Sequence, residues 1–176
     1  LRNAVGVAID PATGEAWATV NGRDLIGDDL PPETLYRVVD GADAGWPRCH
    51  AGNIVDPDFG DEPDPRTGLV GCEGVVPPDA KFQAHMAPLG ITFWDDGAVI
   101  AFHGSWNRSE KVGYEVWWLP WDDGPAGPPV TLIGGFMDPE TGDASGRPAG
   151  VAVGADGALY VSDDKGGYIY RVVTEE

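Results

Sequence analysis

Residues 103–108, His-Gly-Ser-Trp-Asn-Arg, set an imidazole, a hydroxyl, an indole, an amide and a guanidinium in immediate succession. They follow an apolar run, Ala98-Val99-Ile100-Ala101-Phe102, that reads as a buried strand. Such a set can hydrogen-bond, stack against a flat ring and hold an anion. No GxSxG, HExxH or phosphate-loop pattern accompanies it, so the pattern suits binding better than nucleophilic or zinc chemistry. Similar residues precede other apolar segments: Arg2-Asn3, His85-Met86 and Arg147. Others follow them: Asn21-Gly22-Arg23-Asp24 and Asp163-Asp164-Lys165. A lone Arg or His at a strand end is ordinarily a surface group or one satisfied internally. Recurrence at equivalent places points instead to one shared pocket, anion-friendly and with Trp106 as a stacking surface.

The elements that must position these residues are repeated. AVGVAIDPATGEAWATV (4–20), PLGITFWDDGAVIAF (88–102) and PAGVAVGADGALYVS (148–162) each hold a Gly, an alternating β run, an Asp/Gly turn and a second β run. Repeats of about 40–50 residues with several strands each indicate propeller blades, and long loops at 40–79 and 134–146 account for the extra length here. Thr34–Val39 and Lys81–Ala84 are expected to complete the first blade, Gly113–Leu119 and Val130–Ile133 the second. Tyr168–Val173 supplies a third strand to the last blade, whose fourth is missing. The expected fold is all-β, a partial propeller over 1–176 with blades at approximately 1–84, 85–145 and 146–176. No window holds a helical apolar period. Three blades do not close a ring, which needs about four to eight. A missing N-terminal half, a second copy or another subunit is therefore expected to cover the open faces. In a propeller the innermost strands surround one axis, so the residues above converge at one rim.

The chain carries 29 acidic and 11 basic residues, a formal charge of −18. That excludes nucleic acid and anionic membranes as natural partners, since phosphate binding needs a basic surface. No apolar stretch is long enough to span a membrane. The first residue is Leu and no signal-like segment is present, so the chain reads as processed or cut from something longer. Cys49 and Cys72 share one Pro/Asp-rich loop. They form either a disulfide, which would place the protein outside the cytoplasm, or two free thiols; metal partners at suitable spacing are lacking. The carboxylate-rich DPDFGDEPDPRTG (56–68) lacks the spacing and closing Glu of an EF-hand loop and reads as solvated. Trp117, Trp118 and Trp121 read as packing between blades.

LRNAVGVAIDPATGEAWATVNGRD, GWP (45–47), APLG (87–90), HGSWNR (103–108) and GRPAGVAV (146–153), taken in this order, resemble the C-terminal half of the glucose/sorbosone dehydrogenase family, nearest its sorbosone dehydrogenase-like branch. The resemblance runs from Leu1 to about Val173. It implies a six-bladed propeller using pyrroloquinoline quinone (PQQ) and calcium to oxidise aldoses or sugar aldehydes in the periplasm or outside the cell. By that resemblance Arg2 lies against the quinone carbonyl that receives hydride and stabilises negative charge there. Asn3 hydrogen-bonds the cofactor, and the backbone carbonyls of Gly22 and Arg23 ligate calcium. His103, Trp106, Asn107 and Arg108 contact the cofactor, and Arg147 pairs with one of its three carboxylates.

The family's catalytic base is a His of an earlier blade that has no counterpart here. The role is therefore not assigned to His50, His85 or His103. The expected function is half of a sugar dehydrogenase, inactive without the missing blades. The alternative is a binding module that closes a six-bladed ring as a homodimer and does not oxidise its ligand.

Overall fold

The computed structural model describes residues 1–173. Three antiparallel sheets stand side by side, with no helix among the described residues. The first contains β1 (Asn3–Ile9), β2 (Ala16–Asn21), β3 (Glu33–Arg37) and, after the loop that carries the small hairpin β4 (Cys49–His50) and β5 (Ile54–Val55), β6 (Ala80–Phe82), in the order β1-β2-β3-β6. The second contains β7 (Pro88–Trp94), β8 (Gly97–Phe102), β9 (Glu115–Pro120) and β10 (Val130–Ile133), again in sequence order. The third has three strands, β11 (Pro148–Val153), β12 (Leu159–Asp163) and β13 (Tyr168–Val172). This is the all-β, partial-propeller architecture expected, with three strands in the last sheet among the described residues.

Burial along β8 shows how the sheets stack. All of GAVIAF is buried, because the second sheet is covered on both faces. Ala98, Ile100 and Phe102 join Trp17, Leu35, Phe82, Met86, Ile91 and Leu119 in the core shared with the first sheet. Val99 points the other way, to Val116, Leu159 and Val161 in the core shared with the third. Strict alternation along a strand thus feeds two cores. The indoles read as packing do pack: Trp121 meets Trp17 and Phe93 edge-on, and Trp117 tilts against Phe102.

The repeated glycines have a steric cause. Each inner strand is bulged around one of them, between Ala4 and Val7, Pro88 and Ile91, and Pro148 and Val151. There the strand lies against the inner strand of the next sheet. A Cβ on Gly6 would sit 2.1 Å from the Leu89 carbonyl oxygen, and one on Gly90 would sit 2.8 Å from the Ala149 oxygen and Val151 nitrogen. Only a residue without a side chain allows that approach. Gly150 backs onto Gly90 of the second sheet, but a Cβ on its own open side would meet only Ser162 Oγ of its own sheet, at 3.0 Å. The two ends of the stack are correspondingly apolar and open. Val5, Val7 and Ile9 are exposed on β1, and Tyr168 and Ile169 on β13.

Candidate functional site

At one end of the sheets β1, β7 and β11 begin and β2, β8 and β12 finish, so chain segments far apart in sequence meet there. Arg2, just before β1, donates from Nη1 to the backbone carbonyls of Gly22 and, at 3.3 Å, Asn21. Its Nη2 lies 3.4 Å from Asp24, and the guanidinium rests over the Trp46 ring at 5.6 Å. Asn3 pairs with Asn21 across the β1–β2 ladder and is exposed. His85 is buried, donates from Nε2 to the Gly27 carbonyl at 2.8 Å, and holds Nδ1 3.7 Å from Asp24. Glu33, buried in β3, ties two turns together by accepting from the N–H groups of Gly22 at 2.6 Å and Ala87 at 3.3 Å. Burial pushes its carboxyl up, against the pull of those two donors.

The turn after β8 continues the rim. His103 N–H and Gly104 N–H bond the carbonyls of Ala87 and Met86, both at 2.9 Å. Arg147 donates from Nε to the His103 carbonyl at 3.0 Å and from Nη2 to that of Gly104, while its guanidinium lies over the Tyr114 ring. Among the described residues no bond engages its Nη1. His103 Nε2 is 2.9 Å from the Asp164 carboxylate. Asp163 is buried and accepts from the N–H groups of Arg147, Lys165 and Gly166. Burial alone would raise its pKa; those donors, with Tyr170, lower it overall. Arg108 reaches across to the Asp28 carbonyl and the Asp29 carboxylate, and the Ser109 N–H bonds Asp28 at 3.0 Å. Asn107 is half-buried, and Trp106 stands 70% exposed beside it.

A third wall comes from the loop over the first sheet. Cys49 and Cys72 are joined in a disulfide, which resolves the choice left open by the sequence. Inside the loop Asp56 accepts from Arg23 at 2.6 Å, from His50 Nε2 at 2.6 Å, and from the N–H groups of Asp58 and Phe59 at 2.9 Å. Burial pushes the Asp56 carboxyl up, and Arg23, His50 and the two N–H groups together pull it well below the carboxylate range. Asp64 caps the Arg66 and Thr67 N–H groups in the same way. The reading of 56–68 as a solvated acidic loop therefore needs correction: Asp56 and Asp64 are buried and act as internal acceptors. A cavity of about 30 Å³, room for one water, is lined by Arg2, Asn21, Gly22, Trp46 and His50.

Arg2, Gly22, His103, Arg108 and Arg147 thus meet on one rim, linked through Glu33, Ala87 and Asp28. Arg23 approaches it through its backbone, with its side chain turned to the disulfide loop. Glu33 and Asp56 are the residues that sequence reasoning missed. Glu33 had a visible signal, an acid opening a strand whose later residues are buried; Asp56 had none, being one carboxylate of many in its loop. Chemically, the rim offers carbonyl oxygens already gathered around a cation and a guanidinium with a spare donor. An exposed indole adds a flat apolar face.

A family model described as TrAA12-like matches residues 61–175. An uncharacterised protein of Borreliella burgdorferi is 31% identical over 188 residues, covering 100% of this chain and 48% of its own length. The pyrroloquinoline quinone-dependent pyranose dehydrogenase of Coprinopsis cinerea is 29% identical over 223 residues, with 98% of this chain and 30% of that protein covered. A holo structure of a pyranose dehydrogenase PQQ domain from the same organism superposes with a TM-score of 0.73 at 26% identity, over 96% of this chain and 53% of that one. A calcium structure of a Trichoderma reesei family AA12 carbohydrate-active enzyme gives 0.77 at 26% identity, over 96% and 51%. The chain spans about half or less of the length of each.

Proposed function

The chain belongs to the TrAA12-like family, and from that premise we propose that it is the C-terminal half of a PQQ- and calcium-dependent dehydrogenase of aldose sugars or sugar aldehydes. The observation that carries the reading is the rim itself. Three adjacent blades deliver Arg2, His103, Trp106, Arg108 and Arg147 to one end of the sheets, on backbone fixed by Glu33 and Asp163. Bound PQQ would supply a flat two-electron acceptor for the hydride of the sugar.

This chain's own residues supply charge and shape. Arg147, anchored through Nε and Nη2, has Nη1 for a cofactor carboxylate. Trp106 offers its face for stacking, and His103 is oriented by Asp164. Calcium fits the carbonyl oxygens of the 21–23 turn, hard donors of which those of Asn21 and Gly22 already face a positive group. Gly22 and Arg23 would hold it, with Arg23 anchored by its side chain on Asp56. Arg2 would neutralise charge developing on the acceptor's oxygen. The proton of the sugar hydroxyl passes to a base outside this chain.

Two features support completion of a six-bladed ring by further blades. Gly150 keeps the space in which Gly6 and Gly90 receive a neighbouring strand, and β1 and β13 leave apolar side chains open. A second copy could occupy the same faces, which is the homodimeric binding reading. The proposed compartment is periplasmic or extracellular, in keeping with the disulfide. The test is a titration of the purified chain with PQQ in calcium, followed by tryptophan emission, with mass measured at saturation. Saturable, calcium-dependent quenching supports the cofactor site, and one PQQ per dimer would favour the homodimer. Absence of binding by this chain and by the ring completed with its missing blades refutes the reading.

A further inference from the structure

The contact between Arg2 and Gly22 sets two proposed roles against each other. The Gly22 carbonyl is a candidate calcium ligand, yet in this structure it accepts a hydrogen bond from the Arg2 guanidinium, which also takes the Asn21 carbonyl at 3.3 Å. A guanidinium and a divalent cation cannot crowd one oxygen without strong like-charge repulsion. We propose that Arg2 is a built-in surrogate cation: its guanidinium holds the carbonyls of the metal turn, and calcium must displace it. The inference rests on the calcium reading above and adds an exchange that reading does not contain.

The surroundings give the displaced side chain somewhere to go. Asp24 lies 3.4 Å from Arg2 Nη2, and the Trp46 ring lies beneath the guanidinium at 5.6 Å. Arg2 is only partly buried, with 28% of its side chain exposed, so a rotamer change requires no core movement. The turn keeps its shape during the exchange, because the Gly22 N–H stays on Glu33 and Arg23 stays on Asp56. Metal entry would thereby free the guanidinium for the bound anion in the same step. Arg2 would be held away from the acceptor until calcium is in place, which makes the order of assembly a property of the fold.

The experiment is calcium titration by calorimetry, without PQQ, of the wild-type chain and of Arg2→Gln, with circular dichroism as a check on folding. Removing the competitor should tighten calcium binding about tenfold, the order expected when one charge-assisted hydrogen bond no longer has to be broken. Tighter binding in Arg2→Gln together with weaker PQQ binding in saturating calcium supports the exchange. Equal or weaker calcium binding in the variant overturns it while leaving the calcium site standing. If neither protein binds calcium, with or without PQQ, the calcium reading fails and the exchange fails with it.

Discussion

Replacing Asp56 by Ala tests whether the disulfide loop positions the rim or merely covers a sheet. The Asp56 side chain is wholly buried and holds Arg23, His50 and two backbone N–H groups. Removing one partner of a buried, hydrogen-bonded ion pair costs about 3–5 kcal/mol. The low end applies here, because Arg23 is 18% exposed and retains Asp58 as a partner. A loss of about 3 kcal/mol is expected in urea unfolding at neutral pH, read from tryptophan emission. The pH dependence supplies a second check. The folded-state pKa of Asp56 is depressed, so its stabilisation is complete above the unfolded value near about 4 and fades as pH falls further. The gap between wild type and variant should therefore narrow in acid. Calcium affinity should fall in Asp56→Ala at neutral pH, since the Arg23 backbone loses its anchor. A stability loss under about 1 kcal/mol with unchanged calcium binding would refute the reasoning, because a buried pair of this kind cannot be so cheap to break.

Further outcomes follow from the same contacts. Arg147→Ala should weaken PQQ binding by roughly 2 kcal/mol, the loss of a charge-assisted hydrogen bond, measured by fluorescence titration; unchanged affinity would remove Arg147 from the pocket. Gly90→Ala should destabilise by about 2 kcal/mol or more in urea, because its Cβ would lie 2.8 Å from backbone atoms of the third sheet. Gly150→Ala should change this chain far less than Gly90→Ala, by less than about 0.5 kcal/mol, since only Ser162 Oγ lies near its Cβ and no backbone does, yet it should disturb the completed ring as Gly90→Ala disturbs this chain. Reducing the Cys49–Cys72 bridge, which closes a loop of sequence separation 23, should cost about 3 kcal/mol.

What could be read without coordinates was whatever rests on local periodicity. Alternation marked β1, β2, β7, β8, β11 and β12, and the Gly recurrence marked the blades, because a glycine forced by strand contact must reappear wherever the contact does. The grouping of Arg2 with Gly22, and of His103 with Arg147, was legible only as equivalence of strand ends. The partners themselves were not. The sequence places Arg147 just before a strand, and the structure turns two of its nitrogens onto the carbonyls of His103 and Gly104. Arg108 likewise ties a loop at Asp28 and Asp29, some eighty residues away in sequence. Such bonds depend on where loops end in space, and no periodicity encodes that. The acidic loop was misjudged for the same reason: burial of Asp56 needs Arg23, 33 residues earlier.

The charge balance of the rim leads to a last expectation. Its arginines are largely matched, Arg2 by Asp24 and Arg108 by Asp29, and the Asp164 carboxylate stands beside His103. The chain as a whole carries a formal charge of −18. A tricarboxylate such as PQQ therefore approaches against a negative field and is held only by short-range donors once it arrives. Screening lengths of about 30 Å at 0.01 M salt and 10 Å at 0.1 M make that field felt in dilute buffer and largely hidden near physiological strength. Association of PQQ with the calcium-loaded chain should thus accelerate several-fold as salt rises across this range, while dissociation, set by buried contacts, changes little. Stopped-flow quenching of tryptophan emission measures both rates. An association rate that falls with salt would mean that the rim projects a net positive field, and the matched-cation account would then be wrong. A rise would mean that this acidic surface restrains entry of PQQ, and that the arginines serve to hold the ligand and do not draw it in.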